Sequence, residues 1–306
     1  MATQSCRQTA REAYIVALVP FDDRDGWIWW NGEFRPWRDS KLHVLSHGLH
    51  YASAVFEGER CYAGEIFKLR EHTERLINSG RILGFEIPYS ADEIDAACNA
   101  TIAKNNLTDA YVRPIAWRGA EEMGVAAKST KIHMAIAVWE WGAYFGVEQR
   151  MKGVHLAMAK WRRPHPETAP TASKAAGLYM IGTLSKHAAM DEGADDAMML
   201  DWKGDVAEAT GANAFFVFDG EVHTPTPTCF LDGITRRTVM DLARKRQMKV
   251  VERVIKPEEM PKATEAFLAG TAAEVTPVRR IGDITYTPGQ ITETLMRDYD
   301  ALVNRR

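Results

Sequence analysis

No part of this 306-residue sequence approaches the run of about 20 apolar residues that a membrane-spanning helix needs. Cysteine is scarce: Cys6, Cys61, Cys98 and Cys229 are scattered, with no CxxC pair. That excludes a disulfide framework or a thiolate metal cluster and reads as reduced thiols in a reducing compartment. Neither charge sign dominates, since 38 Lys and Arg face 41 Asp and Glu for a net −3. The basic footprint of a nucleic-acid or anionic-membrane partner is therefore missing. Gly-x-Ser-x-Gly, P-loop and Gly-x-Gly-x-x-Gly motifs are absent, as are internal repeats and low-complexity segments. The nearest thing to a targeting signal is Ala13 to Phe21, preceded by Arg7 and Arg11. Pro20 and then Phe21-Asp22-Asp23-Arg24-Asp25 follow it instead of a small-residue cleavage site. This stretch is expected to be an extension packing on the fold, and the protein is expected in the cytoplasm.

What remains is a globular composition, 46% hydrophobic and 26% charged, long enough for two domains. Hairpin signals recur. Trp27-Ile28-Trp29-Trp30 and Glu33-Phe34-Arg35 flank Asn31-Gly32, and similar patterns lie at Cys61–Phe67, Leu200–Val206 and Phe216–Val222. Helices are expected from about Arg70 to Leu83, from Ser90 to about Lys104, from Leu178 to Asp191, from Gly233-Ile234-Thr235 to Arg246, and from Gln290 to Asn304. Ser90 and Glu93 form a capping box. Strand runs with separate helices indicate an α+β fold. The aromatic and glycine-rich stretch after Trp139 marks a connector of a kind that often covers a site between domains. The expected division is a small N-terminal α+β domain over 1–139 (with 1–25 an extension), a connector over 140–152, and a larger C-terminal domain over 153–306.

Lys174 stands among small, apolar residues, Ala169-Pro170-Thr171-Ala172-Ser173-Lys174-Ala175-Ala176-Gly177. A lysine buried in such surroundings has a depressed pKa and serves as an amine nucleophile toward an aldehyde cofactor. A surface lysine in an alanine-rich turn fits the same residues. Glu208, among small neighbours, is expected to be partly buried and to need a cationic partner. Pyridoxal phosphate chemistry requires such a carboxylate at the pyridine nitrogen, while a strand-end salt bridge is the plainer alternative. Three features could hold a phosphate: Gly233-Ile234-Thr235 at a helix start, Gly270-Thr271-Ala272-Ala273, and Arg75. Each is weak alone, because Gly-x-Thr at a helix start is commonly just a cap. His47 and His50 lack acidic or cysteine partners at ligand spacing, so no metal site is expected. Trp141 is the tryptophan best placed to wall a pocket.

Taken in order, these residues resemble the branched-chain amino-acid aminotransferases, fold-type IV pyridoxal phosphate enzymes. The resemblance runs from about Trp27 onward through Asn31-Gly32-Glu33, His47-Gly48-Leu49-His50-Tyr51, Val55-Phe56-Glu57-Gly58-Glu59-Arg60, Ala110-Tyr111-Val112-Arg113-Pro114, Trp141-Gly142-Ala143-Tyr144, the Lys174 segment, Leu231-Asp232-Gly233-Ile234-Thr235-Arg236 and Gly270-Thr271-Ala272-Ala273-Glu274-Val275-Thr276-Pro277-Val278. It implies a two-domain architecture with the cofactor between the domains. Lys174 would form the Schiff base and then move the proton between substrate Cα and cofactor C4′. Glu208 would hold the pyridine nitrogen and Tyr179 would meet the phenolic oxygen. Arg75, Ile234, Thr235 and Thr271 would bind the phosphate. Tyr111, with the amides of Thr271 and Ala272, would take the substrate α-carboxylate, and Arg113 the distal carboxylate of glutamate or 2-oxoglutarate. Phe56, Trp141, Tyr144 and Tyr179 would wall the side-chain pocket. Tyr51 and Val125 would reach in from a partner subunit, which implies a homodimer or larger homo-oligomer. The resemblance implies transamination between leucine, isoleucine or valine and 2-oxoglutarate. D-amino-acid or R-amine aminotransferases and aminodeoxychorismate lyases are the neighbouring alternatives. A non-catalytic carrier is a further one, but it would need neither Lys174 nor Glu208. The sequence departs from the pattern at Ala212, where bacterial members often carry a second glutamate that braces the cofactor network. That leaves Glu208 with less expected support.

Overall fold

Tight turns and period-two patterning build the first half of the chain. In the computed structural model, which describes residues 19–141 and 150–304, strands β1 (Trp27–Trp30) and β2 (Glu33–Pro36) pair antiparallel across Asn31-Gly32. Both turn residues have positive φ, 50° and 95°, the primed-turn geometry whose twist matches that of the strands. Next come α1 (His47–Tyr51), β3 (Ala54–Phe56), β4 (Glu59–Tyr62), β5 (Glu65–Ile66), α2 (Leu69–Ile82), α3 (Ala91–Lys104), β6 (Ala110–Arg118) and β7 (Ile132–Glu140). The seven strands form one sheet in the order β2-β1-β7-β6-β4-β5, with β3 also on β6. Side chains alternate across it. Cys61, Val112 and Val138 pack with Leu76, Ile94 and Cys98 of the helices. On the opposite face the register puts Arg60 and Trp139 across from Tyr111, with Arg113 and Phe56 further along.

The second half runs β8 (Val154–Met158), α4 (Met180–Asp191), β9 (Asp196–Leu200), β10 (Val206–Ala209), β11 (Asn213–Phe218), β12 (Glu221–Pro225), α5 (Ile234–Lys245), β13 (Val250–Arg253), β14 (Glu265–Gly270), β15 (Glu274–Ile281), β16 (Ile284–Thr285) and α6 (Gln290–Asn304). Its strands follow the order β10-β9-β8-β15-β14-β11, and β10 pairs again with β11 at Glu208 and Asn213. Six strands thus close into a ring, and Glu208 lies at the closing seam. Ala214 and Phe216 join Leu156, Met198, Val206, Leu268 and Val278 in one core contributed by all six ring strands. The intervening Phe215 and Val217 pack instead on Val239 of α5 and Leu295 and Met296 of α6. Each such fully buried side chain contributes roughly 1.5–3 kcal/mol.

Most expected elements form where the patterning placed them, with three corrections. Strand β7 continues to Glu140, past the expected break at Val138, because Trp139 and Glu140 still find partners in Tyr111 and Ala110. The helix expected from Leu178 begins at Met180, after a 3-10 turn over Ala176–Tyr179. The hairpin around Gly204 turns through a wider loop, in which the Asp201 carboxylate accepts from the amides of Lys203 and Asp205. The capping box is present as read: Ser90 Oγ accepts from the Glu93 amide and Glu93 accepts from the Ser90 amide.

Candidate active site

Lys174 lies on a loop tied to α2 and β3 of the first half of the fold. Its amide donates to Ser79 Oγ at 3.0 Å, Ser173 Oγ donates to the Ser79 carbonyl at 3.0 Å, and its own carbonyl accepts from the Phe56 amide at 3.2 Å. With the backbone fixed at both ends, the side chain reaches into a cleft lined also by Arg75, Tyr179, Glu208 and Thr235. There Nζ donates to the Tyr179 hydroxyl at 3.0 Å and stands 5.2 Å from the centre of the Phe56 ring. Lys174 is half-buried, between the buried amine and the surface lysine that its neighbours allowed: Thr171 and Ser173 line the cleft beside it, while Ala175 is buried.

Glu208 lines the same cleft and is buried. Its Oε1 pairs with Arg163 Nη2 at 2.8 Å, and its Oε2 accepts from Asn213 Nδ2 at 3.0 Å. Burial pushes its pKa up to about 7, against the opposing pull of Arg163 and then Lys174. Asn213 also donates to the Leu231 carbonyl at 3.0 Å, so the carboxylate is tied to the loop that leads into α5. Ala212 lines the cleft without a polar group, and Arg163 and Asn213 supply the bracing.

The N-terminus of α5 opens on this cleft. Gly233 caps it with no side-chain hydrogen bond, and the first helical backbone bond is Arg237 to Gly233. The amides of Ile234 and Thr235 therefore have no carbonyl one turn back to bind, and they carry the positive end of the helix dipole. Thr271 and Arg75 line the cleft with them. Arg75 is held by Glu57 through Nε–Oε1 at 2.7 Å and Nη2–Oε2 at 2.9 Å, with His72 Nδ1 2.7 Å from Oε2. Burial alone would raise the Glu57 pKa, but Arg75 and His72 outweigh it and hold the carboxyl well below the usual range. Amine, carboxylate and uncapped helix start thus converge, a donor set that fits a phosphorylated pyridine aldehyde.

All seven residues expected at the cofactor, namely Arg75, Lys174, Tyr179, Glu208, Ile234, Thr235 and Thr271, line this one cleft. The expected substrate residues extend from it. Phe56 tilts against Tyr179 at 4.8 Å, the Arg113 guanidinium lies 4.7 Å from the Phe56 ring centre, and Arg113 Nη2 donates to Tyr111 at 3.4 Å. Trp141 packs on Tyr111 at 4.8 Å, and Ala272 is exposed beside Thr271. Tyr51 and Val125 do not line this cleft; they are 44% and 88% exposed. Tyr144 lies outside the described residues. Residue-by-residue reading missed Arg163, Asn213 and His72, which have no local signature because their partners come from other elements. Glu57 stands inside one of the ordered motifs, where its neighbours along the chain give it no role.

Comparison with known proteins gives the same picture. Residues 54–281 match the model of the amino-transferase class IV family. A branched-chain-amino-acid aminotransferase of Pseudomonas aeruginosa is 44% identical over 289 residues, 92% of this chain and 94% of that protein. The T.th. branched-chain amino acid aminotransferase, solved with pyridoxamine 5′-phosphate, superposes with a TM-score of 0.90 at 37% identity, covering 92% of this chain and 95% of that one. The same enzyme complexed with N-(5′-phosphopyridoxyl)-L-glutamate gives 0.88 at 36%, with the same coverage.

Proposed function

The chain belongs to the branched-chain aminotransferases of the amino-transferase class IV family, and we propose that it exchanges amino groups between L-leucine, L-isoleucine or L-valine and 2-oxoglutarate, with pyridoxal 5′-phosphate as cofactor. The observation that carries this reading is the shared lining of one cleft by Lys174, Glu208 and the uncapped start of α5. Once bound, the cofactor supplies a ring that withdraws electrons from the substrate Cα. The remaining work falls to this chain's residues. Lys174 would bond to the cofactor aldehyde and, as a free amine, take and return the Cα proton. Tyr179, 3.0 Å from that amine, would orient it and meet the phenolic oxygen. Glu208, steadied by Arg163 and Asn213, would keep the ring nitrogen protonated. The amides of Ile234 and Thr235, with Thr271 and Arg75, would hold the phosphate.

Substrate recognition follows from the sheet face described above. Tyr111 and the Thr271 and Ala272 amides would take the α-carboxylate common to every substrate, while Phe56, Trp141 and Tyr179 would wall the side-chain pocket. Arg113 would serve only the distal carboxylate, so one apolar pocket accepts both leucine and glutamate. We assign the chain to a homodimer at least, with Tyr51 and Val125 offered to the partner. The exposed apolar Leu49, Tyr51, Met123 and Val125 support that surface, and His47 Nε2, 2.9 Å from the Gly124 carbonyl, ties the two segments together. The separate sheets support an N-terminal and a C-terminal domain, the first of which runs through Glu140 at the end of β7. The described cysteines, all free and buried, agree with a reducing cytoplasm, and no described helix is long and apolar enough to cross a membrane. The test is a visible spectrum of protein reconstituted with pyridoxal phosphate. L-leucine should bleach the long-wavelength band and D-alanine should not. Bleaching by D-alanine instead would move the enzyme to the D-amino-acid branch, and absence of the band would remove the cofactor assignment.

A further inference from the structure

Pro20 to Asp25 precede the first strand and lie before the family match at 54–281, yet they are anchored. The Asp23 amide donates to the Pro20 carbonyl at 3.1 Å and closes a turn. Trp37 Nε1 donates to the Phe21 carbonyl at 2.6 Å, and Arg38 pairs with Asp23 and Asp25, each at 2.6 Å. The ion pairs are exposed and contribute little, so the Trp37 bond is the anchor. It points the Phe21 ring edge-on at Trp139, 5.3 Å between centres, with the Arg24 guanidinium 3.8 Å from the Phe21 ring centre. Trp139 in turn stacks on Tyr111 at 5.0 Å and 23°, directly across the β6–β7 register. Behind Tyr111 there is no slack: a methyl on Gly58 would meet the Tyr111 hydroxyl at 2.0 Å. The Gly58 backbone, Trp139 and Trp141 all press on the ring, and Trp139 is the one of them that Phe21 backs.

We propose that residues 20–25 form a brace that fixes Tyr111 through Trp139, making Phe21 a positioning residue for binding of the substrate α-carboxylate. This rests on the reading above in which Tyr111 takes that carboxylate. Every substrate shares the group, so loss of the brace weakens leucine and glutamate alike, unlike a residue that serves only the distal carboxylate. Phe21 is 58% exposed; truncating it opens no cavity and should leave the melting temperature nearly unchanged. The effect on binding is therefore separable from an effect on folding.

The experiment compares Phe21→Ala, Phe21→Tyr and Tyr111→Phe on the cofactor-loaded protein. It uses calorimetric Kd for 4-methylvaleric acid, which has leucine's carbon skeleton and no amine to react, together with half-reactions on L-leucine and L-glutamate. For Phe21→Ala we expect Kd and both half-saturation concentrations to rise by about two- to tenfold, the range an aromatic pair spans. Limiting rates should change less than about twofold, and Phe21→Tyr should restore wild-type binding. Weakened binding in Tyr111→Phe with none in Phe21→Ala would overturn the brace and leave the reading of Tyr111 intact. No weakening in Tyr111→Phe would overturn that reading itself. A Phe21→Ala protein that melts far earlier, or loses rate at unchanged Kd, would assign Phe21 to folding alone and also overturn the brace.

Discussion

Glu208 is the residue whose proton most directly reports the electrostatics of the site. Burial places its folded pKa at about 7, above the ordinary value of 4.5. A carboxyl raised in this way contributes stability that is fully present below the ordinary pKa and is lost as pH rises through the folded one. The Glu208→Gln variant does not titrate. In cofactor-free protein, its stability minus that of wild type should be flat below about pH 4.5, climb between about 4.5 and 7, and level off above. The offset itself will be negative if Arg163 is left buried without its partner, so the slope is the quantity that tests the shift. Urea midpoints across pH 5 to 8 measure it, and a difference that stays constant or falls would show that Glu208 is ionised throughout. Lys174 carries a complementary lesson: with Thr171 and Ser173 on the cleft lining and Ala175 in the interior, it is half-buried.

At the scale of elements, the start of α5 sets the free amides proposed to hold the phosphate beside the loop that supports the Glu208 carboxylate. A Cβ on Gly233 would sit 2.2 Å from Asn213 Oδ1, although the backbone there (φ −63°, ψ 139°) suits any residue. Gly233→Ala should therefore leave the helix intact but push Asn213 away from Glu208 and disturb the first-turn amides. Losing one charge-assisted hydrogen bond there corresponds to about a ten- to hundredfold rise in Kd for pyridoxal phosphate. Fluorescence titration of cofactor-free protein checks this, and a change under about twofold would separate the Asn213 contact from cofactor binding. Local patterning anticipated this helix start, the Asn31-Gly32 turn and the Ser90 capping box, because each depends on contacts within a few residues. The extension of β7 to Glu140 was not legible, because it depends on a partner strand that continues opposite it.

Across the whole molecule, the two sheets meet at a buried polar cluster. Tyr62 of β4 donates to Glu274 Oε1 at 2.8 Å, and Arg60 and Arg150 approach the same carboxylate at 3.7 and 3.3 Å. Glu274 closes the Thr271-Ala272-Ala273 turn with a φ of 50°, a conformation that a non-glycine residue keeps only when its surroundings impose it. Burial raises its pKa, while the Tyr62 bond and Arg60 oppose the rise. Tyr62→Phe keeps the ring and removes the donor, leaving a buried carboxylate oxygen one bond short. We expect a loss of about 1–3 kcal/mol in urea unfolding. A loss below about 0.5 kcal/mol would mean that the Tyr62 bond adds nothing once the arginines are in place.

The sequence by itself determined the turns, the caps, the strand and helix periods, and the ordered motifs that carry the resemblance, since each of these is written in residues close together along the chain. It also named, through that resemblance, seven residues that line one cleft. Only the tertiary structure decided that Arg163 and Asn213 hold Glu208, that Glu57, itself bound by His72, holds Arg75, and that Phe21 sits edge-on to Trp139, which stacks on Tyr111. The physical reason is that a buried charge must find its counter-charge wherever the fold delivers one. Most of these partners come from other strands and helices, through a ring closure and a sheet register that no single segment encodes.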